Sequence, residues 1–481
     1  MTGEQTRVIP RPSERGRSAG RRHGADSTID LRTSEAMVHD PTATTVVAID
    51  GSTGSGFKAT FNTIAAVSAL GASLTFGFLG FTGRADTTAG MIVAPVLTVI
   101  AALLINKWIR PHVGAALSSV FIAGFGIRMF AAVPRFLGGA DAPIYQREGV
   151  RIATELRVFN FGVDTGRTVP GTGTIRYLSG VVNVFTGSNF ITTFLLFASV
   201  AFVGQCFFAF AMRRALNAKQ FRFLCVALMV SPTMAFWPSS IGKESLSLLG
   251  IGLGAKGATM LYDRRWKGAW VISLGAFAVG MVRPHVALIL LAGIAVGLLA
   301  RRAHTRGRML THLAVLVIVI VGAMFMAGAS ADLFGLESFD GVSDVTAALD
   351  FAQARTSQDA AQFVAARVTN PLDYPWAFVT VIFRPFLWEA GNGAAMVSAI
   401  ESTALLVMLV MASPGLLRSA SQLVQRGQLL FSVAFTFVFV FLFSAIGNFG
   451  ILSRQRAQVV PFLLLFVALG IGAEKRRLAR A

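Results

Sequence analysis

The chain has 481 residues, of which 54% are hydrophobic and only 14% are charged. Soluble domains carry about 25% charged residues, so this composition excludes an ordinary soluble globular protein. Repeated apolar runs of about 20 residues predict a membrane protein instead. A net charge of +19 would suggest nucleic-acid binding in a soluble chain. Here we attribute it to basic loops on one side of a membrane, and we predict no nucleic-acid partner.

Cysteine and histidine give no sign of a metal or disulfide framework. The two cysteines, Cys206 and Cys225, both lie in apolar segments, where a disulfide framework or a zinc site is not expected. The six histidines lack the spacing of metal ligands. We therefore predict no cofactor, and the need for a divalent metal stays open.

The chain divides by composition into a tail, a long apolar region and a short end. Residues 1–57 are rich in Arg, Ser, Thr, Gly and Asp without hydrophobic periodicity, which predicts a disordered cytoplasmic tail. Residues 58–475 are predicted to form a transmembrane bundle. Residues 476–481 are predicted to be a basic cytoplasmic tail.

The apolar region predicts an all-α fold, a polytopic integral membrane helical bundle with about 12 transmembrane helices. The predicted spans are 59–82, 89–106, 113–133, 189–212, 222–238, 244–262, 268–282, 284–300, 309–330, 392–412, 428–447 and 457–473. Within the sixth span, the glycines of "GIGLGAKG" (250–257) are more typical of close helix packing than of a nucleotide site.

The basic residues between spans predict the orientation. Five short loops hold fifteen Lys and Arg residues and only one acid, Asp263. The loops are 107–112, 213–222, 263–267, 301–308 and 413–427. The positive-inside rule places such loops in the cytoplasm, together with both termini. The outer face then carries two long amphipathic loop regions, 134–188 and 331–391.

Two apolar segments are predicted not to be simple spans. If 376–390, "WAFVTVIFRPFLWEA", crossed the membrane, every later basic loop would lie outside. We therefore predict an interfacial or re-entrant element anchored by Trp376 and Trp388. Pro284 breaks a helix, so the short spans on either side of it should meet at the outer surface.

Several cations stand at the outer ends of spans, where the positive-inside rule gives no reason for them. They are Arg128, Lys243, Arg283, Arg384, Arg454 and Arg456, with His285 beside them. A charge in hydrocarbon costs about 2.5–3.5 kcal/mol on insertion scales. A shared anionic ligand such as phosphate or pyrophosphate would explain the set. Alternatively, each side chain could reach the lipid headgroups by itself.

Three carboxylates accompany these cations: Asp141, Glu244 and Glu389. Asp141 begins "DAPIYQREG", the start of a predicted amphipathic helix, and it is either the N-cap of that helix or a catalytic base. Glu244 would also suit the first turn of a helix on electrostatic grounds. Glu389 could simply pair with Arg384.

Five short sequence blocks, the first of which contains Asp141, resemble a known group of membrane proteins. "GGADAPIY" resembles the Gly-x-Asp-x-x-x-Tyr motif of exopolysaccharide polymerase-type membrane proteins, and Asp141 lies within it. The blocks "PTMAFWPSSIGKES", "VRPHVA", "FRPFLWEAGN" and "SRQRAQVVPFLL" resemble bacterial envelope polysaccharide polymerases and related GT-C-like glycosyltransferases. Asp141 follows the third predicted span, whereas typical GT-C enzymes carry their acid after the first, which favours the polymerase-like branch.

The resemblance implies an integral membrane glycosyl-transferring enzyme that uses polyprenyl-(pyro)phosphate-linked sugars at the outer face of the bacterial plasma membrane. It matches Asp141 to the acidic residue of the first large outer loop, and we predict that Asp141 is the general base on the acceptor hydroxyl. The resemblance matches Arg283, Arg384, Arg454 and Arg456 to the basic residues that hold the lipid phosphate. From the residues themselves we add Lys243, Glu244, His285 and Glu389 as predicted substrate- or phosphate-binding residues, and we expect Tyr145 and Trp237 to stack on sugar rings. The expected partners are a lipid-linked sugar, membrane lipid and other envelope polysaccharide assembly proteins.

Two other classes of function stay open at this point. A transporter or flippase for an anionic lipid or solute would need the same cations and a broken helix. A non-catalytic scaffold would tolerate substitution of those cations. The sugar, the acceptor, the linkage and the choice between single transfer and polymerisation are not predicted.

Overall fold

A computed structural model of the chain describes residues 51–138, 141–299, 342–356 and 361–471, with four single positions between 317 and 324. All of them belong to one compact unit, Val46–Ala481. The predictions for residues 1–50, 300–308, 331–341 and 476–481, and for most of the span 309–330, lie outside the described residues.

Within these ranges the fold is helical, as predicted, and its one pairing of extended residues is a single antiparallel bridge between Gln362 and Asn448. We number the helices in chain order. They are α1 Gly51–Phe81, α2 Gly90–Trp108, α3 Arg110–Gly138, α4 Ala142–Arg157, α5 Thr172–Thr186, α6 Phe190–Met212, α7 Ala218–Val230, α8 Pro232–Phe236, α9 Lys243–Tyr262, α10 Gly268–Gly280, α11 Pro284–Leu299, α12 Val342–Thr356, α13 Tyr374–Phe383, α14 Gly393–Arg418, α15 Ala420–Gln425, α16 Gly427–Phe443, α17 Phe449–Arg456 and α18 Val460–Ile471.

Five of these helices are long and apolar enough to cross a membrane: α1, α2, α3, α6 and α14. The bent pair α17 and α18 passes the same test when taken together, which gives up to six. Three further apolar helices, α10, α11 and α16, are shorter. Helices occupy eleven of the twelve predicted span positions. Five or six crossings are supported within the described residues, and the number of about 12 stays a prediction.

Two predicted boundaries differ from the structure. α1 begins at Gly51, so residues 51–57 extend the first helix and are not part of a tail. The predicted span 222–238 is divided into α7 and α8, because Pro232 has no N–H to continue the helix. The carboxylate of Glu401 accepts hydrogen bonds from Ser231 Oγ at 2.6 Å and from the Thr233 amide at 2.7 Å, which satisfies the polar groups at this break.

The segment 376–390 is too short to cross a membrane. Its helix, α13, has ten residues and is therefore about 15 Å long, against about 30 Å for the hydrocarbon core. The chain then turns through Pro385 into a short 3-10 helix, Leu387–Glu389. A helix of this length fits the predicted non-spanning element, whose place at the outer interface stays a prediction.

The predicted break at Pro284 is also present. α10 ends at Gly280 and α11 begins at Pro284 itself, the first helical position, where proline costs no hydrogen bond. Arg283 lies in the short connection between the two helices, next to the end of α10 and the start of α11.

Glycines allow α6 and α9 to pack backbone against backbone. A Cβ atom added to Gly252 would lie 2.8 Å from the carbonyl carbon of Gly204, and one added to Gly204 would lie 2.6 Å from the Cα of Leu249. Gly250 and Gly257 meet the backbone of α10 in the same way. The predicted role of the "GIGLGAKG" glycines in helix packing is confirmed.

Replacing Gly252 by Ala tests this packing. The added methyl group would force α6 and α9 apart, and we expect a loss of about 1–3 kcal/mol of stability, measured as a lower melting temperature in detergent. The control is Gly56→Ala in α1, because a Cβ there meets nothing within 4 Å. An equal effect of both substitutions would contradict the close contact.

Candidate functional site

Five segments of the chain meet around a cavity of about 210 Å³, which we call the charged cavity. They are the end of α3, the start of α4, the start of α9, the break between α10 and α11, and α17. The polar residues that line it are Arg135, Asp141, Tyr145, Lys243, Glu244, Arg283, His285, Arg454 and Gln455. Seven of the residues singled out in the sequence are thus brought together.

The turn before α9 sets the direction of Lys243 and Glu244. Ser245 Oγ bonds to the carbonyl oxygens of Pro238, at 2.9 Å, and Ser240, at 3.0 Å, closing the turn onto the helix. Gly242 leaves room for the carboxylate, since a Cβ there would lie 2.8 Å from Glu244 Oε2. The glutamate side chain can therefore fold back into the protein.

Glu244 forms a buried ion pair with Arg283. Arg283 Nη2 lies 2.7 Å from Glu244 Oε1, and each side chain is only 5% exposed. Arg454 Nε approaches the same oxygen at 3.8 Å. The predicted role of Glu244 at the start of a helix is therefore incomplete, because its carboxylate also joins α9 to the α10–α11 break and to α17.

Asp141 occupies the N-cap position of α4, but its side chain makes no capping hydrogen bond. Instead, its Oδ2 accepts a hydrogen bond from Arg454 Nη1 at 2.8 Å. The carboxylate is 42% exposed and Arg454 is 32% exposed. A role as a helix cap alone does not account for this carboxylate, which faces a cation at the rim of the charged cavity.

Two cations of the charged cavity are not paired with an acid. The Lys243 ammonium group makes no hydrogen bond or ion pair with any described residue. Arg135 is 5% exposed, its Nε has no hydrogen-bond partner, and its guanidinium lies over the rings of Phe236, at 5.7 Å, and Trp237, at 5.3 Å. Aromatic faces attract a cation but do not neutralise its charge.

The balance of charge in the cavity is therefore positive. Four cations face two carboxylates, and both carboxylates are engaged by arginines. With His285 neutral, two positive charges remain in excess. A cavity of this kind favours an anion of about two charges, which is the charge of a phosphate group near neutral pH.

Tyr145 adds a neutral donor to this cavity. Burial, with the nearby Asp141 carboxylate, raises the pKa of Tyr145 to about 12. Its hydroxyl therefore stays protonated at neutral pH and can donate a hydrogen bond to an anion or to a sugar hydroxyl.

A second cavity, of about 470 Å³, lies beside Trp237, and we call it the neutral cavity. Its polar lining residues are Trp237, Glu389, Asn392, Ser398 and Ser453. The charge of Glu389 is matched by its partner Arg384. α17 contributes Ser453 to this cavity and Arg454 to the charged one, and the Arg454 guanidinium lies 6.0 Å from the Trp237 ring. Trp237 and α17 thus stand between the two cavities.

Arg384, Glu389 and Arg456 do not line the charged cavity. Arg384 pairs with Glu389, and its guanidinium lies 4.2 Å from the centre of the Phe363 ring. Burial raises the pKa of Glu389, but hydrogen bonds from Arg384 and the Phe386 amide outweigh it and leave the pKa below its ordinary value. Arg456 is buried and donates to Ser402 Oγ and to the carbonyl oxygen of Arg384. The predicted pairing of Glu389 with Arg384 is present, and these arginines are committed within the protein.

Arg128 is also committed within the protein. It is 1% exposed and donates to Gln205 Oε1 at 2.5 Å and to the Met234 carbonyl oxygen at 2.6 Å. Arg135, by contrast, was not among the predicted residues. The sequence feature that could have identified Arg135 is its position in "VPRFLGGAD". It stands just before the motif that contains Asp141, on the predicted outer face.

The buried pair gives a test of stability. Glu244→Ala leaves Arg283 buried without its partner, and we expect a loss of about 3–5 kcal/mol, seen as a large fall in melting temperature in detergent. Glu148→Ala is the matched control, because the Arg151–Glu148 pair is exposed and should contribute about 1 kcal/mol or less. Equal losses of stability would show that the buried Glu244–Arg283 pair contributes no more than the exposed Arg151–Glu148 pair.

No group of three or more His, Cys, Asp or Glu side chains in the described ranges could hold a metal ion. Comparisons of the chain with protein-family models, with curated proteins and with solved structures returned no match.

Proposed function

We propose that the protein is an integral membrane glycosyl-transferring enzyme of cell-envelope polysaccharide assembly that uses polyprenyl-(pyro)phosphate-linked sugars. The observation that supports this most is the excess of two positive charges in the charged cavity, with Lys243 and Arg135 not paired with an acid. A lipid (pyro)phosphate would supply the missing negative charge at the ends of apolar helices, where its chain can enter the bilayer.

The two carboxylates of the charged cavity have different roles in this proposal. Glu244 is buried and held by Arg283, so it anchors a cation in place. Asp141 is half-exposed at the rim and can reach a second substrate. When the phosphate binds Arg454, the Asp141 carboxylate is released to act as a general base.

The transfer step then proceeds as a displacement at the anomeric carbon. Asp141 takes the proton of the acceptor hydroxyl as its oxygen forms a bond to that carbon. The bond between the anomeric carbon and the phosphate oxygen breaks, and its electron pair stays on the lipid (pyro)phosphate. Arg135, Lys243 and Arg283 stabilise that developing charge, which is the usual role of fixed cations near a leaving group.

The neutral cavity suits the sugar part of such a substrate. It offers an aromatic face at Trp237 and neutral hydrogen-bonding groups at Asn392, Ser398 and Ser453. A sugar bound there would remain close to a phosphate held by Arg454, because both cavities are lined by α17.

We further propose that the enzyme lies in the bacterial plasma membrane with both termini in the cytoplasm and the charged cavity at the outer face. The basic loops between the predicted spans support this orientation. The predicted number of about 12 transmembrane helices belongs to the same proposal, with the shorter apolar helices completing crossings in pairs.

One observation favours a transporter or flippase as a second candidate. The break between α10 and α11 carries Arg283 into the charged cavity, and broken helices with charged residues line many transporter sites. Proteoliposomes separate the two functions: a transporter moves an anionic lipid or solute across the membrane without forming a glycosidic bond.

Anion binding is tested with Lys243→Met. Removal of an unpaired cation should weaken binding of inorganic pyrophosphate by about tenfold or more, as expected for a hydrogen bond to a charged group, measured by calorimetry on the purified protein. Lys219→Met is the control, since Lys219 is exposed in the first turn of α7. Unchanged affinity in the Lys243 variant would exclude the charged cavity as the anion site.

Catalysis is tested with Asp141→Asn, which keeps the shape of the side chain but removes the base. Sugar transfer from a polyprenyl-linked donor in membrane vesicles should fall by about 100-fold or more, while pyrophosphate binding is retained. Full transfer activity in this variant would rule out Asp141 as the base. Loss of binding together with activity would assign Asp141 to binding.

A further inference from the structure

An apolar groove runs along the surface between α2 and α6, away from the charged cavity. It is bounded by Leu97 and Trp108 on α2 and by Ser199 and Phe210 on α6, and its volume is about 480 Å³. Several of its side chains are largely exposed, among them Val203 at 44%. Apolar surface of this kind is stable only where something apolar covers it.

The length of the groove along α2 and α6 is close to the thickness of one membrane leaflet. On both helices the lining extends over eleven residues of rise, from 97 to 108 and from 199 to 210. At about 1.5 Å per residue this is about 17 Å, close to half of the hydrocarbon thickness of about 30 Å. One lipid chain from one leaflet therefore matches its length.

A single ammonium group, that of Lys256, also lines the groove. Thr259 Oγ1 donates to the Ala211 carbonyl oxygen at 3.0 Å, which places the last turns of α9 beside the end of α6. Lys256 therefore lies at the Phe210 end of the groove. Its ammonium group makes no hydrogen bond or ion pair with the residues that the structure describes.

The charges around Lys256 do not neutralise it. Asp263, the nearest acid, is already paired with Arg214, with 2.5 Å between Arg214 Nη1 and Asp263 Oδ1. Arg265 adds another positive charge to this end. At the same end of the groove, Lys107 lies over the Trp108 ring at 5.8 Å. The mouth of the groove is thus positive, while its length is apolar.

We propose that the groove binds one acyl chain of an anionic glycerophospholipid, whose phosphate headgroup pairs with Lys256. The chain covers the apolar lining, and the headgroup supplies the negative charge that the protein lacks there. This site is separate from the charged cavity, because Lys256 lies thirteen residues beyond Lys243 along α9, a distance of about 20 Å. The proposal does not depend on the enzymatic activity.

The test is the lipid that remains bound after reconstitution in equal parts of phosphatidylglycerol and phosphatidylcholine, counted by native mass spectrometry. The wild-type protein should retain the anionic lipid about fivefold more than the neutral one, the ratio expected for one Lys beside an anionic lipid. Lys256→Met should bring this ratio to about one while chains still bind. Val203→Trp, which fills the groove at an exposed position, should reduce binding of both lipids.

Lys219→Met is the control for general charge. It removes an exposed cation from the first turn of α7 and should leave the ratio of the two lipids unchanged. Three results would overturn the proposal. They are no preference in the wild-type protein, an unaltered ratio in Lys256→Met, and an equal fall in Lys219→Met.

Discussion

The ion pair between Glu244 and Arg283 holds the charged cavity together. Two unit charges that are 95% removed from solvent lose most of their hydration, and only close pairing makes this tolerable. The pair joins α9 to the break between α10 and α11, and the approach of Arg454 to the same carboxylate joins α17 as well. Three segments that are distant in the chain are thus held by one glutamate. Lys243, the preceding residue, is directed into the cavity because Glu244 is fixed.

The same pair explains why the cavity has an excess of positive charge. Glu244 and Asp141 are the acids within reach, and each is already engaged by an arginine. Like charges at close range repel one another, so the remaining cations are stable only with water or an anion between them. An anionic ligand would relieve this repulsion and gain charge-assisted hydrogen bonds in the same step. An affinity for anions would therefore come from the arrangement as a whole and not from one residue.

The sequence was informative about where the helices lie along the chain and much less about the direction in which each side chain points around its helix. Apolar runs located the helices well, and the proline at 284 marked a true break. Cations at the predicted outer ends of spans fell into two groups, however: Lys243 and Arg454 face the charged cavity, whereas Arg456 faces Ser402 in the interior. Two residues of rise on α17 separate Arg454 from Arg456 and turn them to different sides. Arg135 was missed because nothing in its local sequence shows that α3, α9 and α17 converge, which is a property of tertiary packing.

The glycine contact between α6 and α9 has a mechanical consequence for the charged cavity. Backbones that already touch at Gly204 and Gly252 cannot approach further, and separating them would open a void in a close-packed interior. α9 is therefore a fixed element, and it holds Lys243 and Glu244 in one place. α17 is an eight-residue helix set at 59° to α18 and packed between the two cavities. A shift of α17 on binding of a ligand would therefore move Ser453, which lines the neutral cavity, and Arg454, which lines the charged cavity, together.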